Sequence, residues 1–249
     1  MALKNCIAKT KDKAVYLENG VAVKVFDKKF PKAEVLYEAL NTARVEDTGL
    51  KIPKIYEVSK VDDCWAISME YIEGDTLYEL MKKNPSKTDE YIKKMVNLQM
   101  EIQEKRVPLL NKLKDKMIRQ IDSLDELDSV RKYELLTRLD GMPKHIKLCH
   151  GDFNPKNIIV TKKNEWYVVD WVHASQGNAS ADVARTYLLF ALEDIALADK
   201  YLDTFCEESG TDKRYVQQWL PIVAAAQLTK NRPEEKEMLH KWLDVFDFQ

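Results

Sequence analysis

The chain has 249 residues, of which 45% are hydrophobic and 32% charged, a usual balance for a globular protein that can bury a sizeable core. Its formal net charge of -2 gives no reason to expect a nucleic-acid or anionic-membrane partner. The longest apolar stretch, Trp219 to Leu228, is too short to span a bilayer. Four widely spaced cysteines form no pair pattern, so we expect a reduced, cytoplasmic protein.

The first third of the chain alternates short apolar runs with turn residues. Residues 14–17 and 21–26 are predicted strands, because Asn19-Gly20 between them is typical of a two-residue hairpin turn. Helical spacing of apolar residues then predicts one helix, which stops near residues 47–49. Two further strands are predicted over 55–61 and 65–72, separated by the turn-forming pair Asp62-Asp63. The predicted order is strand, strand, strand, helix, strand, strand, with ranges assigned to four of the five strands.

Helices dominate the remainder of the chain. Thr88–Arg106 is the clearest amphipathic helix, and more helices are predicted as far as Leu139. An island of short strands follows over 157–161 and 166–170, and helices resume from about Ser180. The sequence therefore predicts an α+β fold with a strand-rich N-terminal lobe, residues 1–73, and a mainly helical C-terminal lobe, residues 74–249.

Three polar residues lie on or beside the island of short strands. Asn157 follows Asp152 by five residues, and Asp170 follows Asn157 by thirteen, at the end of an apolar run. Mg²⁺ prefers carboxylate, amide-carbonyl and phosphate oxygens, so two of these side chains can hold it. The third is then available to orient a hydroxyl and accept its proton. These are the parts that phosphoryl transfer requires.

The motif around these residues resembles a known family. His150-Gly151-Asp152-Phe153-Asn154-Pro155-Lys156-Asn157, followed by Val169-Asp170-Trp171, is similar to the signature of aminoglycoside phosphotransferases and choline kinase-like small-molecule kinases. The same spacings occur in the protein-kinase catalytic loop. The resemblance implies a protein-kinase-like bilobal fold, with a small antiparallel-sheet N-lobe that carries one helix and a larger, mainly helical C-lobe.

The resemblance also implies roles for residues of the catalytic loop. Asp152 would be the catalytic base, and Asn157 and Asp170 would ligate Mg²⁺. His150 would anchor the loop, and Asp182 would brace it from the start of a helix.

Matches in the N-terminal lobe imply a nucleotide site. Lys24 would bind the α- and β-phosphates. Glu38, on the following helix and on the same face as Leu36, Ala39 and Leu40, would hold Lys24 in place, with Glu34 as the fallback partner. Main-chain groups of Glu70 and Ile72 would hydrogen-bond the purine at the hinge.

The implied activity is transfer of a phosphoryl group from ATP or GTP to a hydroxyl of an aminoglycoside-like molecule, sugar, amino alcohol or related metabolite. One alternative is a nucleotide-binding regulatory module, because no glycine precedes Ala14 and a glycine-rich phosphate lid is absent. A protein kinase is another, disfavoured by Gly151 and by the lack of an Ala-Pro-Glu segment after Asp170. An amine-bearing acceptor would suit an acidic pocket; the candidates for its lining are Glu193, Asp194, Glu207, Glu208, Asp244 and Asp247.

Overall fold

The computed structural model describes residues 3–243. The chain forms two compact units, one of Met1–Lys83 with Pro155–Ala174 and one of Asn84–Asn154 with Ser175–Gln249. This division differs from the predicted boundary at residue 73, because the first unit extends to Lys83 and the chain returns to it at Pro155. The strand-rich first unit and the helical second unit give the α+β, protein-kinase-like fold that the sequence predicts.

The first unit is built on a five-stranded antiparallel sheet in the order β1-β2-β3-β5-β4. The strands are β1 (Cys6–Lys9), β2 (Lys13–Glu18), β3 (Val21–Phe26), β4 (Ile55–Val61) and β5 (Cys64–Glu70). One helix, α1 (Lys32–Glu46), connects β3 to β4 and packs against β4 and β5. The predicted order of elements in this third of the chain is confirmed.

Two hairpin turns of this sheet use left-handed backbone conformations. Asn19 and Gly20 have φ of 48° and 80°, and Asp62 and Asp63 have φ of 47° and 66°. Positive φ at both central residues gives a turn whose twist matches that of the paired strands. Both turns therefore lie where the Asn-Gly and Asp-Asp pairs predicted them.

A small core fixes α1 against the sheet. Phe26, Val35, Ala39 and Ile67 are buried together, with Phe30, Ile55, Val58, Trp65 and Met69 packed around them. Lys24 lies on β3 opposite Ile67 of β5. The rigid contact between α1 and the sheet therefore determines which α1 side chains can reach Lys24.

A second sheet completes the first unit. It contains β6 (Gly74–Thr76), β8 (Ile158–Thr161) and β9 (Trp166–Val168), in the order β6-β8-β9, with α2 (Leu77–Lys83) packed on it. A 3₁₀ turn over Pro155–Asn157 leads into β8. Strand β9 ends two residues before Asp170, so Asp170 lies in a loop and not at the strand end that the sequence predicts.

The second unit is helical apart from a two-stranded antiparallel pair, β7 (Lys147–Cys149) and β10 (Ser175–Gly177). Its helices are α3 (Thr88–Glu104), α4 (Leu113–Asp122), α5 (Ser129–Gly141), α6 (Ala179–Ala191), α7 (Ile195–Ser209), α8 (Lys213–Gln217), α9 (Leu220–Leu228) and α10 (Pro233–Leu243). Every residue of helix α9 is buried, and all of them except Gln227 are apolar. Within residues 3–243, no helix is both long enough and apolar enough to cross a membrane.

Candidate active site

Lys24 and Glu38 form an ion pair in the first unit, as the resemblance implies. The Lys24 ammonium also lies 3.3 Å from Oδ1 of Asp170, so it contacts two carboxylates. Burial alone would lower the pKa of Lys24, but Asp170 and Glu38 outweigh it and raise the pKa. Lys24 is therefore held as a cation between α1 and the loop that carries Asp170.

Glu38 reaches Lys24 because it lies on the buried face of α1. It is 4% exposed and shares that face with Val35 and Ala39, whereas the predicted face-mates Leu36 and Leu40 are exposed. The fallback partner Glu34 is also exposed. The prediction that Leu36 and Leu40 share the face of Glu38 was therefore wrong, although Glu38 is the glutamate that pairs with Lys24.

The sequence reasoning missed a second cation at Glu38. The ammonium of Lys13 lies 2.8 Å from Oε2 of Glu38, while Lys24 binds Oε1. Lys13 also lies over the rings of Phe26 and Phe30. Lys13 is the last lysine of the lysine-rich run Lys9 to Lys13, and it is part of the Lys24–Glu38 arrangement.

Asp170 adopts a left-handed backbone conformation, with φ of 64° and ψ of 62°. A residue other than glycine rarely occupies this region, which costs on the order of 1 kcal/mol or more, and such residues cluster at functional sites. The buried Trp171 follows it and donates from its ring nitrogen to the carbonyl of Val168, 2.9 Å away. Packing of Trp171 fixes the loop that presents the Asp170 carboxylate.

Lys24, Glu38 and Asp170 line a cavity of about 450 Å³ within the first unit. Asn157 and the two predicted hinge residues, Glu70 and Ile72, line the same cavity. The Glu70 amide already donates to the carbonyl of Lys54, 2.9 Å away. A purine contact from Glu70 would consequently use its carbonyl oxygen.

Asp182 organises the catalytic loop within the second unit. Its carboxylate accepts from the Gly151 amide at 2.7 Å and from the His150 amide at 3.3 Å. Gly151 has φ of 79°, which a side chain would disfavour. The Asp152 amide donates to Nδ1 of His150 at 3.2 Å, and the His150 ring is fully buried. His150 and Asp182 thus lie where bracing residues must lie.

Gln99, on the buried face of α3, completes this bracing. Its side-chain amide donates to Asp182 Oδ2 and to the Thr186 hydroxyl, each at 3.3 Å. Its carbonyl oxygen accepts from the Tyr201 hydroxyl. Gln99, Asp182, Thr186 and Tyr201 are all buried, and Gln99 forms a hydrogen bond with each of the other three. A lone glutamine among apolar helix positions is the signal that could have found it.

Four cations interact electrostatically with Asp152, and none of them was predicted. Lys116 on α4 and Arg185 on α6 are partly exposed, while Lys230 and Arg232, between α9 and α10, are exposed. Burial and the nearby Arg185 and Lys230 lower the pKa of Lys116 to about 8. Burial also lowers the pKa of Arg185. The surroundings of Asp152 within the second unit are therefore basic.

The acidic residues considered for an amine pocket have other contacts or lie outside the described residues. Asp194 caps α7 by accepting from the Leu197 amide, and Glu208 pairs with Lys93 at 2.8 Å. Glu193 and Glu207 are exposed. Asp244 and Asp247 fall beyond residue 243, the last residue described.

Comparisons with known proteins agree with this arrangement. One similar solved structure is an aminoglycoside phosphotransferase mutant in a ternary complex with ADP and hygromycin B, with 14% identity over 95% of this chain and 89% of that one and a TM-score of 0.68. A second is a choline/ethanolamine kinase family protein from Mesorhizobium loti, with 13% identity over 99% of this chain and 88% of that one and a TM-score of 0.67. A third is an ADP-bound aminoglycoside phosphotransferase, with 17% identity over 96% of this chain and 90% of that one and a TM-score of 0.62. At these identities they show a shared fold. The search of curated proteins gave no match.

The model of the phosphotransferase enzyme family matches residues 13–219, which include Lys24, the loop from His150 to Asn157, Asp170 and Asp182. The chain therefore belongs to the phosphotransferase enzyme family.

Proposed function

We propose that this phosphotransferase moves the γ-phosphate of ATP or GTP to a hydroxyl group of a small molecule in the cytoplasm. The main support for this proposal is the cavity of about 450 Å³, which is lined by Lys24, Glu38, Asn157 and Asp170 together with the predicted hinge. Lys24 lies beside the carboxylates of Glu38 and Asp170, and the main chain of the predicted hinge could hydrogen-bond a purine. This arrangement suits a nucleoside triphosphate. The cysteines of the described residues are free thiols, which supports a reducing compartment.

Mg²⁺ belongs to the same proposal, with Asn157 and Asp170 as its protein ligands. Within residues 3–243, no group of three or more His, Cys, Asp and Glu side chains could hold a metal. An amide and a carboxylate nevertheless fit a cation that phosphate oxygens and water also coordinate. When bound, Mg²⁺ would neutralise the charge that develops on the phosphate oxygens.

The chain's own residues would then perform distinct tasks. Lys24 would bind the α- and β-phosphates, and Glu38 would keep its ammonium in place. Asp152 would accept the proton of the acceptor hydroxyl while that oxygen forms a bond to the γ-phosphorus. The bond from the γ-phosphorus to the bridging oxygen breaks, and the nucleoside diphosphate leaves with the electron pair. The bracing by Asp182 holds Asp152 in position for this step.

The experiment measures nucleoside diphosphate release by the full chain with Mg²⁺ across aminoglycosides, sugars, amino alcohols and hydroxy acids. Asp152→Ala should abolish transfer, because it removes the proton acceptor, and should leave the dissociation constant of ADP within about two-fold, because Asp152 is not among the residues that line the nucleotide cavity. Loss of ADP binding in this variant would contradict the assigned role. Nucleotide binding without turnover of any acceptor would favour the regulatory module.

A further inference from the structure

The four cations that interact with Asp152 come from three separate parts of the second unit. We call Lys116, Arg185, Lys230 and Arg232 the basic cluster. Helices α4 and α6 both pack against α9, whose C-terminal end leads to Lys230 and Arg232. A hydrogen bond of 3.4 Å from Gln120 of α4 to the carbonyl of Ala226 also joins α4 to the end of α9. The packing of these helices therefore brings the four side chains of the basic cluster into the same region.

Hydrogen bonds hold part of the cluster in a defined position. Nη1 of Arg185 donates to Oε1 of Gln227 at 2.6 Å, and Gln227 is 1% exposed. The side-chain amide of Gln227 in turn donates to Glu235, which also pairs with Arg232 at 2.8 Å. A buried glutamine and a buried glutamate therefore orient both arginines, as expected of a constructed binding site.

Four carboxylates interact with the basic cluster: Asp152, Asp182, Glu234 and Glu235. Asp182 also accepts from main-chain amides of the loop around Gly151, and Glu235 is held by Arg232 and Gln227. Asp152 interacts with every cation of the cluster, so the hydroxyl that it would deprotonate lies near all four.

Like charges that are packed together destabilise a folded protein unless something offsets them. The lowered pKa of Lys116 reflects this repulsion as well as burial. Lys116 and Arg185 are crowded by protein, and each is partly exposed. Arginine in particular binds phosphate and carboxylate through two parallel hydrogen bonds.

We propose that the basic cluster binds a phosphate or carboxylate group of the acceptor whose hydroxyl Asp152 deprotonates. The inference rests on the proposed function and narrows its acceptor to hydroxy acids and phosphorylated alcohols or sugars. An aminoglycoside or another polyamine would bring positive charge towards four cations. The acceptor therefore differs in charge from hygromycin B, which is bound in one of the similar structures.

The first test compares related acceptors whose main difference is their charge. The full chain with Mg²⁺ and ATP is assayed with gluconate against glucose, with glycerate and glycerol phosphate against glycerol, and with glucosamine as the cationic member. One charge-assisted hydrogen bond corresponds to roughly ten-fold or more in affinity, so kcat/KM should favour the anionic member of each pair by at least about ten-fold. A preference for glucose, glycerol or glucosamine would overturn the inference and leave the proposed function standing.

The second test removes cations singly. Lys230→Gln and Arg185→Gln should each raise KM for the best anionic acceptor by about ten-fold or more, with KM for ATP changed by less than about two-fold. Lys236→Gln is the control, since Lys236 lies on α10 and pairs with Glu126 at 3.0 Å. Lys230 is exposed, so its variant should fold even if the Arg185 variant does not. A rise in KM for ATP alone would assign the cluster to the nucleotide and overturn the inference.

A binding measurement decides the case in which no acceptor of the panel is phosphorylated. Inorganic phosphate and gluconate are titrated into the full chain saturated with ADP, and the melting temperature is followed. Anions should stabilise the native chain and the Lys236→Gln control but not Lys230→Gln. No stabilisation of the native chain, or equal stabilisation of all three, would refute the anion site. Failure of ADP itself to bind, measured separately, would instead refute the proposed function.

Discussion

The bracing of the catalytic loop by Asp182 predicts a large loss of stability in Asp182→Asn. The change keeps the side-chain shape but replaces a charged acceptor by an amide with one acceptor and one donor group. One oxygen can still accept from the Gly151 amide at 2.7 Å. The new donor group then faces two donors, the His150 amide and the Gln99 side-chain amide, both at 3.3 Å.

Gln99 can relieve part of this conflict by rotating its amide group. Its partners Tyr201 and Thr186 are hydroxyls, which can donate or accept, so rotation can keep both contacts and turn the Gln99 oxygen towards the new donor group. The His150 amide can only donate, and it loses this acceptor. A hydrogen bond to a charged group contributes about 1.5–3 kcal/mol, a neutral one about 1, and a stranded buried donor costs about 1–3. Weakening of the Gly151 bond by about 1 kcal/mol and the loss at His150 of about 1 kcal/mol give a total loss of about 2 kcal/mol.

Urea unfolding measures the stability, and hydrogen exchange of the segment over residues 147–154 reports the local effect. Asp203→Asn is the matched control, because Asp203 forms an exposed ion pair with Lys213 on the surface of the same unit. Such pairs contribute about 0–1 kcal/mol. The reasoning would be refuted if both variants unfolded at the same urea concentration and the segment exchanged at its original rate in Asp182→Asn.

Three other predictions concern separate parts of the chain. Glu38→Gln removes a charged partner of Lys24 and should raise KM for ATP by roughly ten-fold, measured by initial rates, with no change in KM for the acceptor. Gly20→Ala should lower the free energy of unfolding by about 1 kcal/mol because φ is +80° at this position. Gly141→Ala is the control and should not lower it, because Gly141 ends α5 and no atom lies within 4 Å of the new methyl group. Since the pKa of Lys116 is about 8, KM for an anionic acceptor should increase as the pH rises through 8 and Lys116 loses its proton, and a KM that is flat from pH 7 to 9 would contradict this role.

The N-terminal sheet was predictable from sequence because local signals coincide there. Asn19-Gly20 and Asp62-Asp63 tolerate positive φ, and apolar runs of strand length flank both turns. Helix α1 followed from the 3.6-residue period of its apolar residues. The short strands β6, β7 and β10 were missed, because three residues are too few for a periodic pattern. The partner of each lies far away along the chain or is itself as short.

The candidate residues for the metal and nucleotide sites could be selected from the sequence for a different reason. Phosphoryl transfer places similar demands on every site that performs it, and Asp152, Asn157 and Asp170 stand at the spacings typical of such sites. Lys24 and Glu38 could be selected only through their order relative to that motif. The left-handed conformation of Asp170 was not predictable, because it arises from the packing of Trp171 and from the loop that leaves β9.

The basic cluster could not be predicted because its members share no motif and become neighbours only through helix packing. Arg185 follows Asp182 by three residues and lies one turn along α6, so the helix that braces the catalytic loop also directs a cation at Asp152. In the proposed function, the motif residues act on the phosphoryl group and on the hydroxyl proton, which are the same whatever the charge of the acceptor. A change of acceptor charge can therefore leave the motif untouched while it alters positions such as Lys116 and Lys230. For this reason the sequence motif identifies phosphoryl transfer, whereas the charge of the acceptor has to be inferred from the packed helices.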